Sequence, residues 1–175
     1  MGSHLYNSRL GKVAWFVRRF GAAELFLKPL RCAFAPLIIP RLARAEFVFE
    51  GKSLPLFYHR YNMTWANERA VEVPVAGEFL RRFAGKRVLE VGNVTPHYLD
   101  TGHTVLDKFE RGPGIINEDI AGFAPGERFD LILSVSTFEH IGYDDEADGD
   151  SGERISQAIA TCRSLLAADG QLVLT

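Results

Sequence analysis

A chain of 175 residues, 47% hydrophobic and 24% charged, is one domain's worth of ordinary globular sequence. It is long enough to bury a core without disulfide or metal staples. Mean hydropathy close to zero excludes a disordered tail and a membrane-spanning protein. The longest apolar stretch, Cys32 to Pro40, holds two prolines and falls far short of the roughly 20 residues that cross a bilayer. Two cysteines, Cys32 and Cys162, exclude a disulfide framework and either fit a reducing compartment or carry no signal. No Cys/His cluster has zinc spacing, so no metal is expected. A net charge of −2 excludes a globally basic nucleic-acid binder.

The small net charge hides a division. Residues 1–45 carry eight Lys/Arg against one acid, Glu24, a balance of +7; residues 46–175 carry −9. A basic, apolar arm precedes an acidic body, which points to a separate surface role for the arm. Met1-Gly2-Ser3-His4 resembles a vector remnant. The arm lacks the form of a secretory signal, because basic residues interrupt its apolar stretch, so a cytoplasmic location is expected.

Leu10 to Leu30 predicts a helix, with Val13, Phe16, Val17, Phe20, Leu25 and Leu27 near helical spacing. Pro29, Pro36 and Pro40 then predict at most a short helix or an extended segment over Arg31–Ile39. Such an arm packs on the body with solvated arginines, lies on an anionic membrane, apolar face down, or contacts nucleic acid. Glu46–Phe49 and Leu54–Tyr58 alternate around Gly51-Lys52-Ser53 and predict a hairpin. The aromatic, polar run Tyr58 to Glu72 either lines a pocket or covers the sheet edge. Pro74 to Phe83 predicts a helix with Val75, Phe79, Leu80 and Phe83 inward. Arg87–Val91, Thr104–Leu106, Gly114–Ile116 and Phe129–Val135 predict strands. A helix is expected from about Gly152 to Leu166, capped by Asp150 with Glu153. Asp169-Gly170 turns the chain into a fifth strand, Gln171–Thr175. Continuous apolar strands with intervening crossovers predict an α/β fold on a parallel sheet.

In such a sheet, ligands sit beyond the carboxyl ends of the strands, at the topological switch point. The residues expected there are Glu90, Val91, Gly92 and Asn93, then Asp107 and Lys108, then Glu118, Asp119 and Ile120, then Ser134 to His140. Gly92 lets backbone approach a ligand. Asp107, 15 residues on, can accept two ribose hydroxyls, much as glycine-rich dinucleotide sites place an acid about 20 residues on. Asp119 can hold a purine amino group.

Val88-Leu89-Glu90-Val91-Gly92-Asn93 resembles the first motif of the class I S-adenosylmethionine-dependent methyltransferases. Val105-Leu106-Asp107, Asn117-Glu118-Asp119-Ile120, Phe129 to Ser134 with Thr137-Phe138-Glu139-His140-Ile141, and Leu165 to Leu174 are similar to that family's later blocks, in order. The resemblance covers about residues 86–175. It implies a Rossmann-like core with S-adenosylmethionine as cofactor. In it Glu90 orients the loop and, directly or through water, the methionine amino group, Gly92 and Asn93 back the methionyl part, and Asp107 holds the ribose. Asp119 and Ile120 frame the adenine, Ser134 lies near the methionine end, and His140 lies near the substrate mouth. The division implied is a 1–45 arm, a 46–85 cap or pre-core segment, and an 86–175 partial core.

Two departures qualify the resemblance. The glycine-rich loop reads Gly92-Asn93-Val94-Thr95-Pro96-His97-Tyr98, with one glycine. The family's seven-stranded sheet stops here at the fifth strand. That reads as a fragment, a partner supplying the edge, or a reduced fold. Other residues weigh less. His140 is the weak candidate for a general base. His97 reads as surface or binding, and His59 and His103 carry no signal. Asp144 to Gly149 has the acids of half a calcium loop, but Ile155 stands where the bidentate Glu belongs, so a solvated loop is expected.

The function expected is methyl transfer to a small-molecule or glycan-type acceptor, at oxygen, in a cytoplasmic enzyme with peripheral membrane contact through residues 10–45. Two alternatives stand: a non-catalytic scaffold with a decayed site, and a nicotinamide-dependent oxidoreductase, against which the missing G-x-G-x-x-G counts.

Overall fold

The computed structural model describes residues 17–18, 21–42, 44–142 and 151–175. The expected capping box at Asp150, the acidic loop at 144–149 and most of the expected helix before residue 21 lie outside them. Among the elements with described bounds, helix α1 (Glu24–Leu42) is followed by the antiparallel hairpin β1 (Glu46–Phe49) and β2 (Lys52–Pro55), a 3-10 segment Tyr61–Ala66, and helix α2 (Arg69–Arg82). The core strands are β3 (Val88–Val91), β4 (Thr104–Leu106), β5 (Ile115–Ile116), β6 (Phe129–Ser134) and β7 (Leu166–Leu174), with helix α3 (Ser151–Leu165) between the last two.

The five core strands are parallel, in the order β5-β4-β3-β6-β7. This is the Rossmann-like order of a doubly wound sheet, with the switch point at β3. Alternate residues of the strands feed two cores. Leu89, Val91, Leu106, Phe129 and Ile132 pack against Ala158, Cys162 and Leu165 of α3 and against Ile120 and Phe123. Burial pushes the Cys162 thiol up to about 11, so it stays protonated. On the other face Val88, Leu131, Leu133 and Val135 meet Val75, Ala76 and Phe79 of α2 and Leu54 of the hairpin. Both faces of the sheet are therefore covered, as parallel sheets require.

Four elements differ from expectation. Helix α1 runs on through Pro29, Pro36 and Pro40, where a break was expected. Proline's fixed φ suits a helix, and on an exposed helix the carbonyls that lose an amide partner can meet water. Helix α2 starts at Arg69, five residues before Pro74. Pro74 deprives the Ala70 carbonyl of its helical amide, and the Phe57 amide replaces it at 2.8 Å. The hairpin turn is Glu50-Gly51, with φ of +48° and +75°, so β2 begins at Lys52. Strand β7 begins at Leu166, and its ladder with β6 slips between Phe129 and Leu131 before resuming at Gln171. Gly170 sits in that irregularity, where a Cβ would come 2.8 Å from the Phe129 carbonyl oxygen.

The hairpin is clamped to α2 by one carboxylate. Glu78 binds Lys52 at 2.6 Å, Arg81 at 2.7 Å and Arg82 at 3.0 Å, and Arg82 also reaches Glu50 at 2.6 Å.

Candidate functional site

Both connections on the β4 side of the switch point are short. Residues 92–103 join β3 to β4 with only the 3-10 turn Thr95–His97, and residues 107–114 join β4 to β5 with no helix. Parallel strands ordinarily need a helical crossover. Here side chains hold the backbone instead. Glu90, fully buried in β3, accepts from the amides of Val94 at 3.0 Å and Thr95 at 2.7 Å and from the Thr95 hydroxyl. His103 Nε2 completes the set at 2.6 Å, donating to the same carboxylate. The second connection wraps Asp107, which accepts from the amides of Asn93 at 2.9 Å, Phe109 at 2.8 Å and Glu110 at 2.6 Å. Asn117 ties it down by donating to the carbonyls of Asp107 and Lys108, each at 2.9 Å.

These loops frame a cleft of about 330 Å3 at the carboxyl ends of β3, β4, β5 and β6, within the range of small-molecule sites. Gly92 has φ +92°, and its backbone runs against Thr137. Leu106, Phe109, Ile120 and Ile141 supply apolar wall. Asp107, Glu110, Glu118 and Asp119 supply four carboxylates, opposed by Lys108. Lys108 Nζ lies 2.9 Å from Asp119 Oδ2, and Arg154 reaches the same oxygen at 3.9 Å. Burial alone would raise the Asp119 pKa; the Ala121 amide, Lys108 and Arg154 outweigh it and hold the carboxyl below its ordinary value. Among the described residues no cluster of His, Cys, Asp and Glu is grouped to hold a metal ion.

Of the residues expected from sequence, Val91, Gly92, Asp107, Lys108, Glu118, Asp119, Ile120, Ser136, Thr137 and His140 line this cleft together. Glu90, Asn93 and Ser134 stand behind it. Glu90 lies under the loop. The Asn93 side chain turns to His97 Nε2 at 3.3 Å, and the Ser134 hydroxyl donates to the Val91 carbonyl at 2.8 Å. Phe109 and Glu110 line the cleft without having been expected; the signal was their place directly after Asp107 at a strand end. His103 carried no sequence signal and proves to be the buried partner of Glu90, 13 residues away.

The run from Tyr58 to Glu72 borders the cleft without lining it. Tyr61 stacks on His97 with ring centroids 4.8 Å apart, and Tyr98 meets Phe57, His59 and Tyr61 edge-on. Ser136 lines the cleft at φ +41° and donates to Glu72 at 2.8 Å. Arg69 donates to the Val135 carbonyl at 3.2 Å beside the same carboxylate.

No protein-family model and no curated protein matches the chain. Solved structures do overlap it. The glycopeptide N-methyltransferase MtfA complexed with sinefungin overlaps at 21% identity and a TM-score of 0.38, over 59% of this chain and 53% of that one. The same enzyme complexed with S-adenosyl-L-methionine overlaps at 22% identity and a TM-score of 0.37. The chain spans about half the length of these structures, and overlaps this shallow leave the function to be read from the cleft itself.

Proposed function

We propose that this chain carries the cofactor-binding part of an S-adenosylmethionine-dependent methyltransferase. The observation that carries the reading is the charge of the cleft: four carboxylates against one lysine, around an apolar wall, at the switch point of a parallel sheet. That lining suits a ligand with a positive sulfonium, ribose hydroxyls and a flat purine. It is the wrong lining for the pyrophosphate of a nicotinamide dinucleotide, which needs amide donors and glycines where Val94, Thr95 and Pro96 stand.

Asp107 is the ribose acid in this reading. Its three backbone partners fix its direction, and of a carboxylate's roughly four acceptor sites the one left, on Oδ2, can accept a ribose hydroxyl. Asp119 and Ile120 frame the base, Lys108 closes over that end, and Gly92 with Asn93 backs the amino-acid end. Glu90 and Ser134 act from behind, by holding the loop and the strand ends. When bound, S-adenosylmethionine supplies an activated methyl group. The chain's own task is then to align an acceptor and shed its proton, and His140 is the imidazole in the cleft lining for that second role. The acceptor is read as a small molecule or glycan, methylated at oxygen. Residues 86–175 are the core, 46–85 the cap beside it, and 1–45 an arm that holds a cytoplasmic enzyme to a membrane.

Titration calorimetry tests the reading. S-adenosylmethionine is added to the chain and to Asp107→Asn, with thermal unfolding of both as the folding control. Micromolar binding that weakens about tenfold or more in the variant is expected, the loss of one charge-assisted pair. Absence of binding by a folded chain would overturn the reading in favour of a cofactor-free scaffold.

A further inference from the structure

Among the described helices α1 is the least buried, and its exposed surface is largely apolar. Among the described residues, six of the twelve large exposed apolar side chains belong to it. Four of them, Phe26, Leu30, Phe34 and Leu37, are 48–78% exposed. Their spacing of four, four and three places them within an arc of about 80° on the helix. Ala35, 2% exposed, lies on the opposite side, in a pocket with Arg60, Tyr61 and Asn62. The helix thus turns one flank to the body and a continuous apolar stripe away from it.

Charge identifies what the stripe meets. From Glu24 to Arg44 there are four cations and one anion, while residues 46–175 are strongly acidic. A protein groove lined by apolar side chains would satisfy the stripe but not the charge. An anionic lipid surface satisfies both, attracting the arm and repelling the body. No described helix is long and apolar enough to cross a membrane, so the fitting geometry is a helix in the plane of the interface.

We infer that α1 lies in the surface of an anionic bilayer with Phe26, Leu30, Phe34 and Leu37 inserted between the lipids. This rests on the membrane contact proposed above and narrows it to one face of one helix and one lipid charge. It does not depend on the cofactor. Arg31, tied to Glu24 at 2.9 Å, stands on the flank away from the stripe. Arg41 folds back on the Leu37 carbonyl at 2.6 Å, at the end of the stripe, where headgroup phosphates would lie.

Vesicle flotation of the whole chain tests it. The vesicles are phosphatidylcholine alone and phosphatidylcholine with phosphatidylglycerol. The variants are Phe26→Ser/Leu30→Ser/Phe34→Ser and, separately, Lys28→Gln/Arg41→Gln. All these side chains are exposed, and matching circular dichroism and melting curves verify that each variant is folded. The expected result is flotation with the anionic vesicles, weakened about tenfold or more by the serine variant and by raised salt. The glutamine variant is expected to lower binding less. Wild-type protein that floats with neither vesicle would overturn the inference and the membrane reading together. Wild type and serine variant floating equally would overturn the stripe alone, leaving another part of the arm as the anchor. Equal flotation with both vesicles would overturn the anionic requirement. A lipid-free dimer that the serine variant abolishes would reassign the stripe to contact between copies.

Discussion

A Cβ placed on Gly92 would lie 2.2 Å from Thr137 Oγ1. The loop after β3 and the loop after β6 thus touch at the glycine that opens the first loop, and their contact forms one end of the cleft. Gly92 is needed twice over, for space and for φ +92°. Gly92→Ala is expected to cost about 1–3 kcal/mol in thermal unfolding and to remove cofactor binding. Thr137→Gly in that background removes the clash but not the backbone strain, so it should restore part of the stability. Full recovery would show that strain contributes nothing.

Glu90 is completely buried and takes four donors. Glu90→Gln keeps the shape but turns half of the acceptor into a donor facing donors. A loss of about 3 kcal/mol is expected in urea unfolding, from unpaired buried groups and a lost charge. Amide exchange at Val94 and Thr95 should quicken. His103→Ala should reproduce part of the loss. An unchanged midpoint in both variants would refute the role given to this carboxylate.

Arg81, Lys52 and Arg82, in that order of strength, hold the Glu78 carboxyl at about 2, against an ordinary 4.5. The folded state therefore binds this proton more weakly than the unfolded state does. The stabilisation is complete above 4.5 and is lost as pH falls from there toward 2. Melting temperature against pH should fall more steeply in the wild type than in Glu78→Gln across that window. Parallel curves would show that the clamp is solvent-screened and energetically silent.

Lys108 and Asp119 meet across the cleft. Lys108→Ala removes one of the groups that hold Asp119 low, so the Asp119 carboxyl should titrate at higher pH in the variant. Carboxyl-carbon NMR measures this directly. An unmoved midpoint would leave the Ala121 amide and Arg154 as the groups that set it.

The sheet was legible because its strands are apolar runs on a buried, two-sided layer, and the acids at their ends fall where a switch point puts a ligand. What escaped sequence reading has physical causes. Proline reads as a break, yet Pro74 sits inside α2 because the distant Phe57 amide takes over the Ala70 carbonyl, and no local pattern announces that. The turn at Glu50-Gly51 was displaced because glutamate is an unusual residue at positive φ. Strand position fixes where Glu90 and Ser134 stand but not which way a side chain faces: Glu90 holds the loop, as the resemblance implied, and the Ser134 hydroxyl turns to the Val91 carbonyl. His103 was silent because its partner is set by the path of an irregular connection.

The buried carboxylate also bears on the order of assembly. Its partners lie only four, five and 13 residues along the chain, whereas the Ser134 bond to Val91 that joins β6 to β3 spans 43. Closing a short loop costs less chain entropy than closing a long one. Residues 88–106 can therefore come together while Glu90 is still wet, and β6 with α2, on the Val88 face of the sheet, then seals it from water. In stopped-flow kinetics, substitutions at Thr95 or His103 should slow refolding, and those at Ala76 or Phe79 should mainly hasten unfolding. The side chains that replace a crossover helix would then be the seed on which the rest of the sheet grows.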